Sequence, residues 1–243
     1  MEYCKLNYII LGSGVQKVVF LHGWGGSTKS FESVARRMQD CSCYLIDLYG
    51  FGKSDLPYVM DIYEYATQLY LFFVDNKIDE CTIIAHSFGG RIAKILCSCF
   101  NLNVTKLILV DSAGLKYRPN IIKKFKILSY KLMKKLVKFH ILPANILKKF
   151  GSKDYQNAKS YLKISFVKVV NQYLDYLIKY ISIPTLIVWG TKDKQTPLYM
   201  AKKMNKIIAD SGVVFYQNSG HFSYLENLNN FCVVVNNFIR SGV

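Results

Sequence analysis

Nowhere in these 243 residues do eighteen apolar positions follow one another without interruption, so the chain offers no stretch that reads as a membrane-spanning helix. The opening MEYCKLNYIILGSG has no basic leader running into a long apolar segment, and the expectation drawn from that is a cytoplasmic protein. The cysteines number seven, an odd count, and no two stand as C-x-x-C. Cys41/Cys43 and Cys97/Cys99 are C-x-C pairs, but a tetrahedral zinc site needs four placed ligands, and the four histidines are too scattered to complete one. Reduced, partly buried thiols rather than a metal site are expected. Repeats, low-complexity linkers and nucleic-acid-binding motifs are missing as well. Acidic residues are scarce, sixteen against thirty-two Lys and Arg.

That imbalance is local. Between positions 116 and 179 lie sixteen basic residues and two acids, Asp154 and Asp175, while the rest of the chain is close to neutral. Of the basic residues, 27 are Lys, and Asn, Ile and Tyr are abundant, as an AT-rich genome would produce. A solvated helix face is therefore the plain reading. A weak contact with an anionic membrane surface, or attraction of anionic substrates, are the functional ones.

A hydrophobic fraction of 51% in a chain of this length suits one large domain, or a domain with an insertion. Apolar β-rich runs at 6–11, 18–21, 44–46, 82–85, 106–110, 185–188 and 213–216 alternate with helical patterns at 27–40, 62–74, 88–100, 198–209 and 225–239. Such alternation predicts an α/β fold, a mostly parallel central sheet flanked by helices. Ser27 or Thr28 is the expected N-cap of the first helix. The first two strands, joined by GSGVQ, read as an antiparallel hairpin at the sheet edge.

Residues 115–180 interrupt the alternation with Lys-rich amphipathic pattern, punctuated by Pro143 and Gly151, and predict a helical cap inserted into a core of 1–114 and 181–243. Ile121, Phe125, Leu128, Leu132, Leu136 and Phe139 share one helical face. Phe166, Val169/Val170, Tyr173, Leu177 and Ile181 share another, and both faces are expected to pack on the core.

Within TIIAHSFGG, Ser87 stands between a buried strand and a helix, with Ala85 and Gly89 two positions either side. Small neighbours are what a sharp strand-to-helix turn needs if it is to hold a serine in a strained, exposed position. In a parallel sheet, reactive groups gather past the carboxyl ends of strands. HGWGGS, residues 22–27, follows the second strand and can aim a backbone N–H at a developing oxyanion. The donors expected are Trp24 and Phe88. WGTKDKQTP places Asp193 past one strand and QNSGHFSYLEN places His221 past the last. A serine hydroxyl needs a neutral imidazole to take its proton and a carboxylate to fix that imidazole's tautomer, and the order Ser87, Asp193, His221 suits such a turn. Asp111, in LILVDSAG, also ends a strand and is the alternative acid. Of the other histidines, His86 should point away from Ser87, His22 should brace the glycine loop, and His140 ends a Lys-rich helix. Asp47 reads as holding a turn, Arg91 and Glu226 as ion-pair members.

HGWGG, DLYGFGKS, AHSFGG, WGTKDKQTP and GHFSYLEN, in this order, resemble the α/β-hydrolase superfamily over nearly the whole chain. Ala85 stands where Gly is usual there. The resemblance implies a serine hydrolase using Ser87, Asp193 and His221 without metal or cofactor. A serine at the turn argues against the dehalogenases and epoxide hydrolases of that superfamily, which use aspartate there. A carboxylesterase acting on a small-molecule ester is the first expectation. A carbon–carbon bond hydrolase, a ligand receptor that scarcely turns over and a membrane-surface lipase are the alternatives.

Overall fold

Strand formers that run on without polar alternation belong in a sheet covered on both faces. The computed structural model of the protein describes residues 5–117, 121–139, 143 and 160–241. Its strands are β1 Tyr8–Leu11, β2 Gln16–Leu21, β3 Cys41–Ile46, β4 Cys81–His86, β5 Val104–Val110, β6 Thr185–Gly190 and β7 Ser211–Tyr216. They form one sheet in the order β1-β3-β2-β4-β5-β6-β7. Every neighbouring pair is parallel except β1 on β3.

The expected hairpin of the first two strands is therefore corrected: β1 lies at the edge, but its antiparallel partner is β3. The connection explains why. A Cβ at Gly14 would stand 1.8 Å from the Asp40 carbonyl carbon, so the turn lies across the start of β3, and Ser42 Oγ donates to the Gly14 carbonyl at 2.7 Å.

Helices α1 Lys29–Ala35, α2 Ile62–Asp75, α3 Phe88–Cys99, α4 Ile121–Lys138, α5 Ser160–Asn171, α6 Tyr199–Ile207, α7 Ser223–Glu226 and α8 Leu228–Arg240, with a short 3-10 helix at Ile178–Tyr180, complete the described elements. The two-residue period of a strand divides the core. Val18 and Phe20 face α1 and α8, while Val19 and Leu21 face α2, α3 and α6. Thr28 stands at the N-cap of α1 without a side-chain cap bond, while Ser27 Oγ accepts the Lys29 N–H at 3.3 Å. The Thr28 N–H instead donates to the buried Asp47 carboxylate at 2.5 Å. The single last helix expected at 225–239 is two, α7 and α8, parted at Asn227, whose side chain donates to Ser219 Oγ and the Ser223 carbonyl.

Between β5 and β6, α5 sits against the core. Ser165 Oγ accepts the Met60 N–H at 2.9 Å, and Gln172 Oε1 accepts the Ile62 N–H at 3.0 Å. The apolar face expected to run on to Ile181 breaks after Asn171, where Arg91 Nη1 donates to the carbonyls of Val169 and Gln172 at 2.9 and 2.8 Å. Leu174, Leu177, Ile178 and Ile181 are buried all the same, through turns rather than one helix face. The face expected of α4 is also corrected. Leu128 and Leu132 are 63% and 58% exposed and Phe139 beyond them 69%, while Leu136 is half-buried and the side chains of Ile121 and Phe125 lie outside the description. Gly151 and His140 fall outside the described residues. Among the described residues no helix is long and apolar enough to cross a membrane. The six described cysteines are unpaired, with Cys41, Cys43, Cys81 and Cys232 buried.

Candidate active site

Ser87 follows β4 and opens α3 with φ 47° and ψ −106°, a left-handed backbone that a side-chain-bearing residue rarely adopts. The fold fixes it there. Its N–H donates to the Val110 carbonyl, and its own carbonyl accepts the N–H groups of Gly90 and Ala113, each at 3.1 Å. Gly89 permits the turn: a Cβ there would lie 2.3 Å from the Leu21 carbonyl oxygen, a backbone atom that cannot yield.

His221 and Asp193 converge on this serine. His221 Nε2 stands 2.9 Å from Ser87 Oγ, and its Nδ1 2.7 Å from Asp193 Oδ2. Burial by itself would raise the Asp193 carboxyl, but the hydrogen bond and charge of His221, with Thr196, outweigh it and hold the group below the usual carboxylate range. With the carboxylate on Nδ1, the tautomer that protonates Nδ1 leaves Nε2 as an acceptor toward the serine hydroxyl.

The glycine loop after β2 is held by His22. Its Nδ1 donates to the Gly23 carbonyl at 2.7 Å and its Nε2 accepts the Leu48 N–H at 3.0 Å. Burial lowers its pKa to about 4, so the ring is neutral. Among the described residues no protein acceptor engages the backbone N–H of Trp24 or of Phe88, and their rings pack edge to face at 5.0 Å. His86 lies away from the Ser87–His221 bond, donating Nε2–H to the His221 carbonyl at 2.7 Å. Burial, then the neighbouring His221, push its pKa down to about 3.

Asp111 is not on the imidazole. Oδ1 accepts the Gly190 N–H at 2.9 Å, and Oδ2 accepts the Ser223 N–H at 3.1 Å and the Ser223 hydroxyl at 2.6 Å. It ties the end of β6 to the start of α7, and its burial raises its pKa to about 7.

Thr196 and Ser223 had no place in the sequence reading. Thr196 Oγ1 lies 2.5 Å from Asp193 Oδ2 and 3.0 Å from the Asp111 carbonyl oxygen, while the Gln195 and Thr196 N–H groups donate to Asp193 Oδ1. The signal for Thr196 was its spacing, three residues after an aspartate in a loop, where such local side-chain turns form. Asp47 holds the Lys53 N–H, the Thr28 N–H and Asn7 Nδ2. The ion pairs expected of Arg91 and Glu226 are corrected: Arg91 binds the two carbonyls at the end of α5, and Glu226 accepts the Gly220 N–H.

Two lobes meet at Ser87. The wider, about 580 Å³, is lined by Gly25, Ser30, His86, His221, Phe222 and Tyr224 among others. The narrower, about 310 Å³, lies between α3 and α5 and is walled by Phe88, Arg91, Phe166 and Val169.

A seven-stranded, mostly parallel sheet wrapped by helices defines the class of this protein, an α/β-hydrolase. The chain belongs to the Hydrolase_4 family, described as serine aminopeptidase S33, whose model matches residues 13–227. It is 27% identical to Lipase 1 of Psychrobacter immobilis over 237 residues, 88% of this chain and 73% of that one. It is 29% identical to the AB hydrolase superfamily protein YisY of Bacillus subtilis over 252 residues, 93% and 91% of the two chains. Among solved structures, an esterase (EaEST) from Exiguobacterium antarcticum superposes with a TM-score of 0.77 at 26% identity, covering 98% of this chain and 96% of that one.

Proposed function

We propose that this protein is a serine hydrolase that cleaves carboxylic esters through an acyl-enzyme on Ser87. The observation that carries the reading is the continuous line from Ser87 Oγ through both nitrogens of His221 to Asp193. As Oγ attacks the ester carbonyl carbon, His221 Nε2 takes the hydroxyl proton and the carbonyl electron pair moves onto oxygen. The N–H groups of Trp24 and Phe88 are the donors that oxygen would meet. When the carbon–oxygen bond breaks, the imidazolium returns its proton to the leaving alcohol. Water then enters, loses a proton to Nε2 and attacks the acyl carbon, and the Ser87 oxygen departs with that proton, releasing the acid. Asp193 stabilises the imidazolium in both halves.

The lipase and esterase relatives support an ester over an amide, and so does the lining of the cleft. Among the described residues, neither lobe presents an Asp or Glu side chain that would hold the ammonium group of a peptide's N-terminus. Turnover of nitrophenyl esters of rising chain length, with fluorophosphonate labelling of the serine, tests the reading. Ser87→Ala is expected to lose labelling and about 10⁴ to 10⁶ in kcat while folding normally. Wild-type rates in that variant would remove Ser87 from the mechanism, and a single equivalent of released alcohol without further cycles would mark a receptor.

A further inference from the structure

An ester held at Ser87 has a lobe on either side of it. The leaving oxygen must lie toward His221, which protonates it, and His221 lines only the wider lobe. The acyl portion is then directed into the narrower one. That lobe is apolar on most sides, through Trp24, Phe88, Phe166 and Val169, but Arg91 stands in its wall and Lys194 at its exposed rim.

A simple fatty acyl chain offers the charge of Arg91 no counter-charge there. The residue is only 8% exposed, and its partners among the described residues are the neutral carbonyls of Val169 and Gln172. None of the described ion pairs includes it. Behind it Lys94 is wholly buried, with its ammonium nitrogen against Ser112 Oγ and the Ala113 carbonyl. Burial lowers Arg91 only to about 10, so it remains charged at neutral pH. A buried cation with neutral partners alone keeps much of its desolvation cost uncompensated, and a carboxylate is the anion whose geometry a guanidinium matches. Arg91 also sits one helical turn beyond Ser87, about 6 Å along the axis of α3. A carboxylate reaching it belongs a few bonds past the scissile carbonyl.

We infer that the narrower lobe is an acyl subsite for half-esters of short dicarboxylic acids, with Arg91 holding the far carboxylate and Lys194 adding to the field at the mouth. This inference rests on the esterase reading. The volume, near the lower end for ligand pockets, suits a short chain.

The test compares kcat/KM for monoethyl esters of four- to eight-carbon dicarboxylic acids with ethyl esters of monocarboxylic acids of equal length. The half-esters are expected to lead by about ten- to a hundredfold, the worth of a hydrogen bond to a charged group. In Arg91→Gln the ratio is expected to fall to within about threefold of unity, and in Lys194→Gln to fall less. Arg91 also holds the end of α5, so its loss lowers both rates, but a loosened helix does not by itself move their ratio. If Arg91→Gln does not fold, protection of Ser87 in the unaltered protein decides: glutarate should slow fluorophosphonate labelling where pentanoate does not. Preference for the neutral ester, a ratio untouched by Arg91→Gln, or equal protection by the two acids overturns the subsite. Failure to turn over any ester overturns the esterase reading instead, and the protection assay still reports on the lobe.

Discussion

Changing Asp193 to Asn keeps the shape of the side chain and alters one hydrogen bond that matters. The amide oxygen can still serve the Gln195 and Thr196 N–H groups now held by Oδ1. The amide nitrogen then faces His221 Nδ1 across the present 2.7 Å, which drives the ring proton onto Nε2 and leaves nothing to accept from Ser87. A loss of about 10³ to 10⁴ in kcat follows, about 4 to 5.5 kcal/mol of barrier, with little change in stability. Asp111→Asn has the opposite signature. Both its oxygens accept N–H donors, and Oδ2 the Ser223 hydroxyl as well. One end of an amide must therefore oppose a donor. Each lost bond to a buried charged acceptor costs about 1.5 to 3 kcal/mol. Part returns above neutral pH, because the carboxyl is already pushed up to about 7 by burial and the amide carries no charge. A net loss of about 1 to 4 kcal/mol lowers Tm by about 3 to 15 °C in a chain of this size, while kcat at 25 °C stays within about tenfold. Thermal unfolding and nitrophenyl ester kinetics on both variants at pH 8 give the comparison. A thousandfold loss in Asp111→Asn with Tm unmoved, beside an active Asp193→Asn, would refute the assignment of the acid.

Stability against pH gives a second check. His22 and His86 are held neutral when folded, with pKa values of about 4 and 3 against an ordinary 6.5, so their contribution is complete above about pH 6.5 and is lost as pH falls. Asp111, raised to about 7, works the other way, since the folded state keeps a proton that the unfolded chain releases. Between about pH 4 and 6.5 these three groups leave the unfolded state one proton ahead, so ΔG of unfolding should rise by about 1.4 kcal/mol per pH unit from them. Urea titrations should show that limb, and a flat profile in the wild type would contradict the burial of the two rings. Finally, the exposed Leu128 and Leu132 on α4, among seven lysines and no acid in Ile121–Lys138, predict weak co-sedimentation with anionic vesicles at low salt. That binding should vanish near 0.5 M salt, where screening acts within a few ångströms. Binding that survives would indicate apolar insertion instead.

The parts of the site that could be read from sequence are those whose requirements are local. Ser87 is legible because a strained turn demands small residues at fixed offsets, and Ala85 and Gly89 supply them. Asp193 and His221 are legible because loops past parallel strands must converge, whatever lies between them in the chain. The choice between Asp193 and Asp111 is not local, since both end strands. It turns on Ser223, more than a hundred positions from Asp111, whose N–H and hydroxyl both occupy the Asp111 carboxylate. The pairing of β1 failed to appear for the same reason. Nothing in GSGVQ shows that β3 will pass beneath Gly14 and take the partner's place. Amphipathic spacing likewise shows that α4 and α5 each own an apolar face, but only packing shows that α5 buries Val169 while Leu128 and Leu132 of α4 stand exposed.

Charge is where sequence and structure part furthest. The Lys-rich run at 116–179 holds half of the basic residues, and a reading by composition assigns any field at the active site to it. Among the described residues, the two cations lining the cleft come from elsewhere, Arg91 from α3 and Lys194 from the loop after β6. A solvated lysine on a helix face is screened within about 10 Å at ordinary ionic strength, whereas a guanidinium sealed into the wall of a small lobe is not. Selectivity for an anionic acyl group should therefore persist as salt rises and should be indifferent to the lysines of α4. A salt-dependent preference, lost when those lysines are neutralised, would move the effect from Arg91 to the surface.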